Sequence, residues 1–112
     1  MRRKIAALVL ALAAWAGLAA AETWKNAAFM DGACVDKFKD NPDKHTVHCA
    51  VACEDDGYGI LTADGKYLKF DAAGNEKAAA ALKETKKTDH LRATVEGTLE
   101  GDQIKVTSFR FD

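Results

Sequence analysis

Residues 59–70 read GILTADGKYLKF, which is two strand-like runs on either side of Asp64-Gly65. Asp-Gly supplies the positive φ angles that a two-residue type I′ turn needs, so this stretch predicts a β-hairpin. Pairing across that turn puts Leu61 opposite Leu68 and Gly59 opposite Phe70. One face of the hairpin then carries Leu61, Leu68 and Phe70, and the other carries Thr62, Tyr67 and Lys69. This alternation is typical of a half-buried sheet.

A second hairpin is predicted over residues 91–111, where apolar and polar residues alternate up to a turn at Gly101-Asp102. This turn sets Leu99 opposite Ile104 and Gly97 opposite Val106. Beyond Val106 the apolar residues change phase, so we expect a β-bulge near Thr107-Ser108 that turns Phe109 and Phe111 inward. The alternative is a regular strand that exposes both phenylalanines.

The remaining elements complete a mainly β fold. Asn75 is a suitable N-cap for a helix from Glu76 to about Lys86, and Trp24 to Phe29 is the expected first strand. The order is strand, cysteine-bearing insertion, hairpin, helix, hairpin. It predicts a five-stranded OB-like barrel with one helix between strands 3 and 4 and a short helical Cys/His insertion. Another small α+β sandwich is the alternative.

Residues 1–21 have the pattern of a cleaved export signal. Arg2-Arg3-Lys4 precedes an apolar run from Ile5 to Leu18, and three small residues follow it. The run is shorter than the roughly 20 residues that a membrane anchor needs. We therefore expect cleavage before Glu22, a single domain over residues 22–112, and a soluble protein in the periplasm or outside the cell.

The charge of the predicted domain is acidic. The whole chain has 16 basic and 17 acidic residues, and three of the basic ones lie in the predicted signal. This balance argues against a nucleic-acid-binding protein, which is usually basic.

The densest group of reactive side chains is HTVHCAVAC at residues 45–53, together with Cys34. A helix that begins near Asp43 would place His45, Cys49 and Cys53 on one stripe, with His48 beside them. Cys49 and Cys53 would then be poorly placed to bond to each other. Either of them could instead form a disulfide with Cys34.

Three interpretations of this cluster are open. The first is a structural disulfide from Cys34 to Cys49 or Cys53, for which we take Cys34–Cys53, because exported small domains commonly contain disulfides. The second is a site for one zinc or copper ion, since thiolates and imidazoles bind both metals. Its candidate ligands are Cys34, His45, His48, Cys49 and Cys53. The third is thiol redox chemistry in which His48 lowers the pKa of a cysteine, although no pair of cysteines has the two-residue spacing of common oxidoreductases.

Several short motifs together resemble a group of small exported bacterial proteins of unassigned function. The motifs are Asp31-Gly32-Ala33-Cys34, His48-Cys49 with Cys53, Asp64-Gly65-Lys66, and GTLEGD at residues 97–102. The resemblance covers most of the predicted domain. It implies export and an OB-like β core, and it assigns no activity.

The sequence therefore predicts an exported, non-catalytic binding module whose Cys/His cluster is a structural disulfide or a thiophilic metal site. Its partner is expected to be a small ligand or a protein and not a nucleic acid. The alternatives are a thiol redox partner, and a barrel that binds a peptide or glycan across its strands.

Overall fold

Five strands form a closed barrel in the computed structural model, which describes residues 20–112. The strands are β1 (Ala21–Asp31), β2 (Tyr58–Leu61), β3 (Tyr67–Phe70), β4 (Arg92–Glu100) and β5 (Gln103–Phe111). The spatial order is β1-β2-β3-β5-β4, with β3 and β5 parallel and the other neighbours antiparallel. The predicted OB-like barrel is confirmed.

Within residues 20–112, three helices accompany the barrel. Two short ones, α1 (Val35–Phe38) and α2 (Val47–Ala52), lie in the insertion between β1 and β2, and the longest, α3 (Ala72–Glu84), lies between β3 and β4. The insertion also contains 3₁₀ turns at Gly32–Cys34, Pro42–Lys44 and Glu54–Asp56.

The predicted β4–β5 hairpin is confirmed in register. Leu99 pairs with Ile104 and Gly97 pairs with Val106, and a register shift follows because Glu96 pairs with Ser108. Thr107 is therefore the extra residue of the expected bulge. Phe109 and Phe111 consequently pack against the main core.

The register predicted for the β2–β3 hairpin is wrong by one residue. Ile60 pairs with Leu68 and Leu61 pairs with Tyr67, because Thr62 N–H bonds to the Lys66 carbonyl and leaves a three-residue loop. Gly65 closes this loop at a φ of 86°. The extra loop residue moves Leu61 to the face opposite that of Leu68.

The two faces of β1 border two apolar cores. Ala27 and Phe29 belong to the main core inside the barrel, whereas Ala28 and Met30 belong to a smaller one. This second core also holds Leu61, and the side chains of Cys34, Val35, Phe38 and Tyr67 pack against it. Residues 27–31 are buried on both faces because the insertion covers the outside of the strand.

Helix α3 begins four residues earlier than predicted. Asp71, and not Asn75, is the N-cap: Asp71 Oδ1 accepts a hydrogen bond of 2.9 Å from Gly74 N–H. The side chain of Asn75 instead accepts a bond of 2.8 Å from Tyr58 N–H, which ties the helix to β2. The buried face of α3 is formed by Gly74, Ala78 and Leu82 at four-residue intervals.

The predicted export signal lies outside the described residues, except for Ala20 and Ala21. The first strand is longer than the predicted Trp24–Phe29, because it runs from Ala21 to Asp31. Within residues 20–112, no helix has the length and apolar character needed to cross a membrane.

Candidate metal centre

The candidate site begins where β1 ends. Asp31 is the last residue of that strand and the N-cap of the following 3₁₀ turn, and its Oδ1 accepts a hydrogen bond of 3.1 Å from Cys34 N–H. Aspartate is a favoured N-cap because its carboxylate accepts a bond from a free backbone N–H. The cap places Cys34 one turn beyond Asp31, against the second core.

Gly32 allows the far end of the insertion to return to this point. Its N–H donates a 3.1 Å hydrogen bond to the Gly57 carbonyl, and a Cβ at this position would lie 3.0 Å from the Asp56 carbonyl oxygen. The start and the end of the insertion are thus in direct contact. Cys53 is close to that end, at the C-cap of α2, where its N–H bonds to the Cys49 carbonyl at 3.1 Å.

This closure brings three potential metal ligands together. One carboxylate oxygen of Asp31 and the sulfur atoms of Cys34 and Cys53 all lie within 4.8 Å of one another. The Asp31 side chain is fully buried, and both cysteines are partly buried. A carboxylate and two thiols from separate segments therefore share one small volume.

His45 holds the carboxylate from the other side. Its Nε2 lies 2.6 Å from Asp31 Oδ2, and neither side chain is exposed. The Nδ1 atom of His45 is buried without a hydrogen-bond partner among the described residues. The Phe38 ring packs edge-on against the imidazole at 5.5 Å between centroids. Both carboxylate oxygens of Asp31 are thus engaged by the protein.

The predicted stripe of His45, Cys49 and Cys53 on one helix is wrong. Thr46 caps α2 by accepting a hydrogen bond from Cys49 N–H, so the helix begins only at Val47. His45 precedes the helix in extended conformation, and Cys53 follows its last turn. The stripe is interrupted at both ends.

The five predicted metal ligands therefore do not form one group. Cys34 and Cys53 belong to the three-ligand group, and within residues 20–112 Cys49, His45 and His48 do not. His48 is exposed and lines a separate surface cavity with Lys87 and Thr88. Sequence reasoning missed Asp31 as a ligand. The available signal was its position three residues before Cys34, which is the spacing of an N-cap.

All three cysteines are free thiols in the structure. The Cys34 and Cys53 sulfur atoms lie within 4.8 Å of each other, and neither is bonded to another sulfur. The expected Cys34–Cys53 disulfide is therefore not formed here, although the two residues expected to form it are neighbours.

The electrostatic environment of the site is negative. Burial, then the hydrogen bond to Asp31 and the charge of that carboxylate, together raise the pKa of the Cys34 thiol to about 12. Burial and then the charges of Glu54 and Asp31 raise the pKa of Tyr58 to about 12. Burial, followed by the charge of Asp31, also raises the pKa of Tyr67. The same carboxylate opposes a second negative charge at each of these groups, so a cation among them would be stabilised.

Two sulfur donors and one carboxylate are a ligand set that suits zinc, with Zn–S bonds of about 2.3 Å and Zn–O bonds of about 2.0–2.2 Å.

Comparisons of the chain with protein-family models, with curated proteins and with solved structures found no match.

Proposed function

We propose that this protein is a small exported metal-binding module that binds one zinc ion through Asp31, Cys34 and Cys53, and that it is not an enzyme. The observation that carries the proposal is the 4.8 Å limit on the distances among the three ligand atoms. In a tetrahedral site with ordinary zinc bond lengths, these atoms would be about 3.5–3.8 Å apart. Small side-chain movements would therefore be sufficient to bring the three ligand atoms to zinc-binding distances.

The contact between His45 and Asp31 supports the same proposal. Ligands of bound metals are usually held by further hydrogen bonds, which fix their orientation. Asp31 is already fixed by His45 at 2.6 Å and by Cys34 N–H at 3.1 Å. Little side-chain entropy is then lost when this carboxylate binds an ion.

The raised pKa of Cys34 favours metal binding over thiol redox chemistry. A thiol with a pKa of about 12 is almost fully protonated at neutral pH and is a weak nucleophile. A metal ion displaces that proton and removes the electrostatic penalty for the thiolate. Zinc affinity should accordingly rise with pH.

The experiment is a zinc titration of the reduced protein against a chromophoric chelator. We expect one zinc ion per chain, and a loss of affinity of at least about a hundredfold in Cys34→Ser and in Cys53→Ser. Cys49→Ser is the matched control, since Cys49 is also a partly buried thiol of the insertion but lies outside the three-ligand group. It should bind zinc like the unmodified protein.

Oxidation provides a second arm. A Cys34–Cys53 disulfide and a metal ion would use the same two sulfur atoms, so oxidised protein should bind no zinc. If the reduced protein binds no zinc, or if Cys49→Ser loses as much affinity as Cys34→Ser, the proposed site is wrong. If the reduced protein binds no zinc and the oxidised protein keeps its fold, the two cysteines would be better explained as a structural disulfide.

A further inference from the structure

We propose that a groove beside the first half of β1 binds a small organic anion with a flat apolar portion. One wall is β1 at residues 23–28, and the other is the end of β2 with the β2–β3 turn, at residues 61–63 and Gly65. Lys39, Pro42 and Arg92 complete the lining, and the volume of the open groove is about 650 Å³. This volume is within the range of small-molecule sites, about 300–1,000 Å³.

The groove exists because β1 bends away from β2. Residues 21–28 of β1 pair with β4, whereas pairing with β2 begins only at Ala28. Between Trp24 and Ala27 the register shifts, and Asn26 adopts a φ of 53°, a left-handed conformation that asparagine tolerates better than most residues. The guanidinium of Arg92 donates a hydrogen bond of 3.3 Å to the Asn26 carbonyl and so supports this bend.

The charge of the groove is positive. Lys25, Lys39 and Arg92 line it, and no aspartate or glutamate of residues 20–112 is among the lining residues, although Asp64 lies in the turn between Ala63 and Gly65. Asp43 balances Arg92 through two hydrogen bonds of 2.9 and 3.2 Å, so the uncompensated charge comes from Lys25 and Lys39. The chain as a whole has a formal charge of −1, so this positive region runs against the overall charge. An anionic ligand is the complementary occupant.

The rest of the lining calls for an apolar portion in the ligand. Trp24 is partly buried and packs against the main core while it also lines the groove. Ala27, Ala28 and Leu61 also line the groove but are almost fully buried, so its accessible apolar surface comes from Trp24 with Pro42 and Ala63. An aromatic ring that stacks on the indole, with a carboxylate directed to the lysines, would use both properties.

A small molecule fits the groove better than an added peptide strand. Strand addition needs a regular free edge, and here the β1 edge carries a bulge at residues 25–26 and a lysine within it. Both features are those by which proteins protect edge strands from pairing.

The test is an amide NMR titration of the full, isotopically labelled protein with 1-naphthoate, with the neutral 1-naphthamide and with acetate. We expect saturable shifts confined to residues 23–28 and 61–65 with naphthoate, and binding weaker by about tenfold or more with the other two probes. Lys25→Gln and Lys39→Gln should each weaken naphthoate binding about three- to fivefold, as for exposed charge pairs. Lys105→Gln, an exposed lysine on β5 outside the groove, should change nothing.

Equal binding of naphthoate and naphthamide, equal effects of the Lys25 and Lys105 variants, or the absence of saturable shifts would each overturn the proposal. Tighter binding of an alternating Glu-Val peptide, with slowed amide exchange at residues 21–27, would overturn it in favour of strand addition. None of Asp31, Cys34 and Cys53 lines the groove, so the result is independent of whether zinc binds.

Discussion

His45 Nε2 and Asp31 Oδ2 are 2.6 Å apart, and both side chains are fully buried. The contact connects the end of β1 with the segment before α2, 14 positions along the chain. It therefore fixes both the folded path of the insertion and the orientation of the proposed zinc ligand.

We predict that Asp31→Ala lowers the free energy of unfolding by about 1–3 kcal/mol, because it leaves a buried imidazole without its hydrogen-bond partner. Denaturant unfolding at pH 7 measures the change. Asp89→Ala is the matched control, since Asp89 and His90 form a similar contact of 3.0 Å with both side chains exposed. It should leave stability unchanged. Equal effects of the two substitutions would show that burial of the Asp31–His45 pair is irrelevant.

We predict that Cys34 is the slowest cysteine to be alkylated in the reduced, metal-free protein. Its pKa of about 12 keeps the reactive thiolate scarce, and the rate should rise about tenfold per pH unit between pH 7 and 9. Timed alkylation with iodoacetamide and peptide mass spectrometry measure each cysteine separately. Alkylation of Cys34 at the rate of an unfolded thiol would contradict the prediction.

We predict that the pairing of Arg92 with Asp43 stabilises the fold at neutral pH but not in acid. The hydrogen bonds from Arg92 hold the pKa of the Asp43 carboxyl below its usual range. The contribution is thus complete above the unfolded pKa of about 3.9 and is lost as the pH falls through the lower folded value. Because both side chains are about one-third exposed, the contribution is at most about 1 kcal/mol.

Unfolding free energies of the unmodified protein and of Arg92→Gln, measured from pH 7 to pH 2.5, test this prediction. The difference between the two should become smaller below about pH 4, and the part that comes from the bond of Arg92 to the Asn26 carbonyl should remain. Lys105→Gln, which removes an exposed pair of 3.9 Å with Glu100, is the control and should show no such trend. A difference that is constant with pH would exclude Asp43 as the cause.

We predict that Asp71→Ala lowers the free energy of unfolding by about 1–2 kcal/mol, which is the usual effect of removing an N-cap. The same Oδ1 also accepts a hydrogen bond of 3.2 Å from Val106 N–H, so the substitution frees α3 from β5 as well. Glu76→Ala, at an exposed position of the same helix, should stay within about 0.5 kcal/mol. Thermal unfolding monitored by circular dichroism compares the two variants.

The sequence was sufficient for the β4–β5 hairpin and insufficient for the β2–β3 hairpin. At Gly101-Asp102 the apolar pattern on both sides agrees with only one register, and this register is found. Around Asp64-Gly65, Ile60 and Leu61 are both apolar, so the pattern permits two registers. The hydrogen bond between Thr62 and Lys66 selects the longer loop.

For the site, the sequence indicated Cys34 and Cys53 but not the third ligand. Asp31 becomes a candidate only because the insertion returns to the end of β1, where Gly57 meets Gly32. His45 was predicted as a ligand from helical spacing. Thr46 is the N-cap, so the helix begins after His45, and the imidazole contacts Asp31 instead of lying in line with the cysteines. Contacts of this kind join segments that are distant in sequence, so local residue patterns do not predict them.

The pairing of β1 with β4 also determines when the barrel can form during synthesis. β1 is made first, but most of its backbone partners lie in residues 92–98. The loop between them must be closed before these contacts stabilise the chain, which is a slow step in folding. A nascent chain that stops before residue 92 therefore has an unsatisfied first strand and remains open.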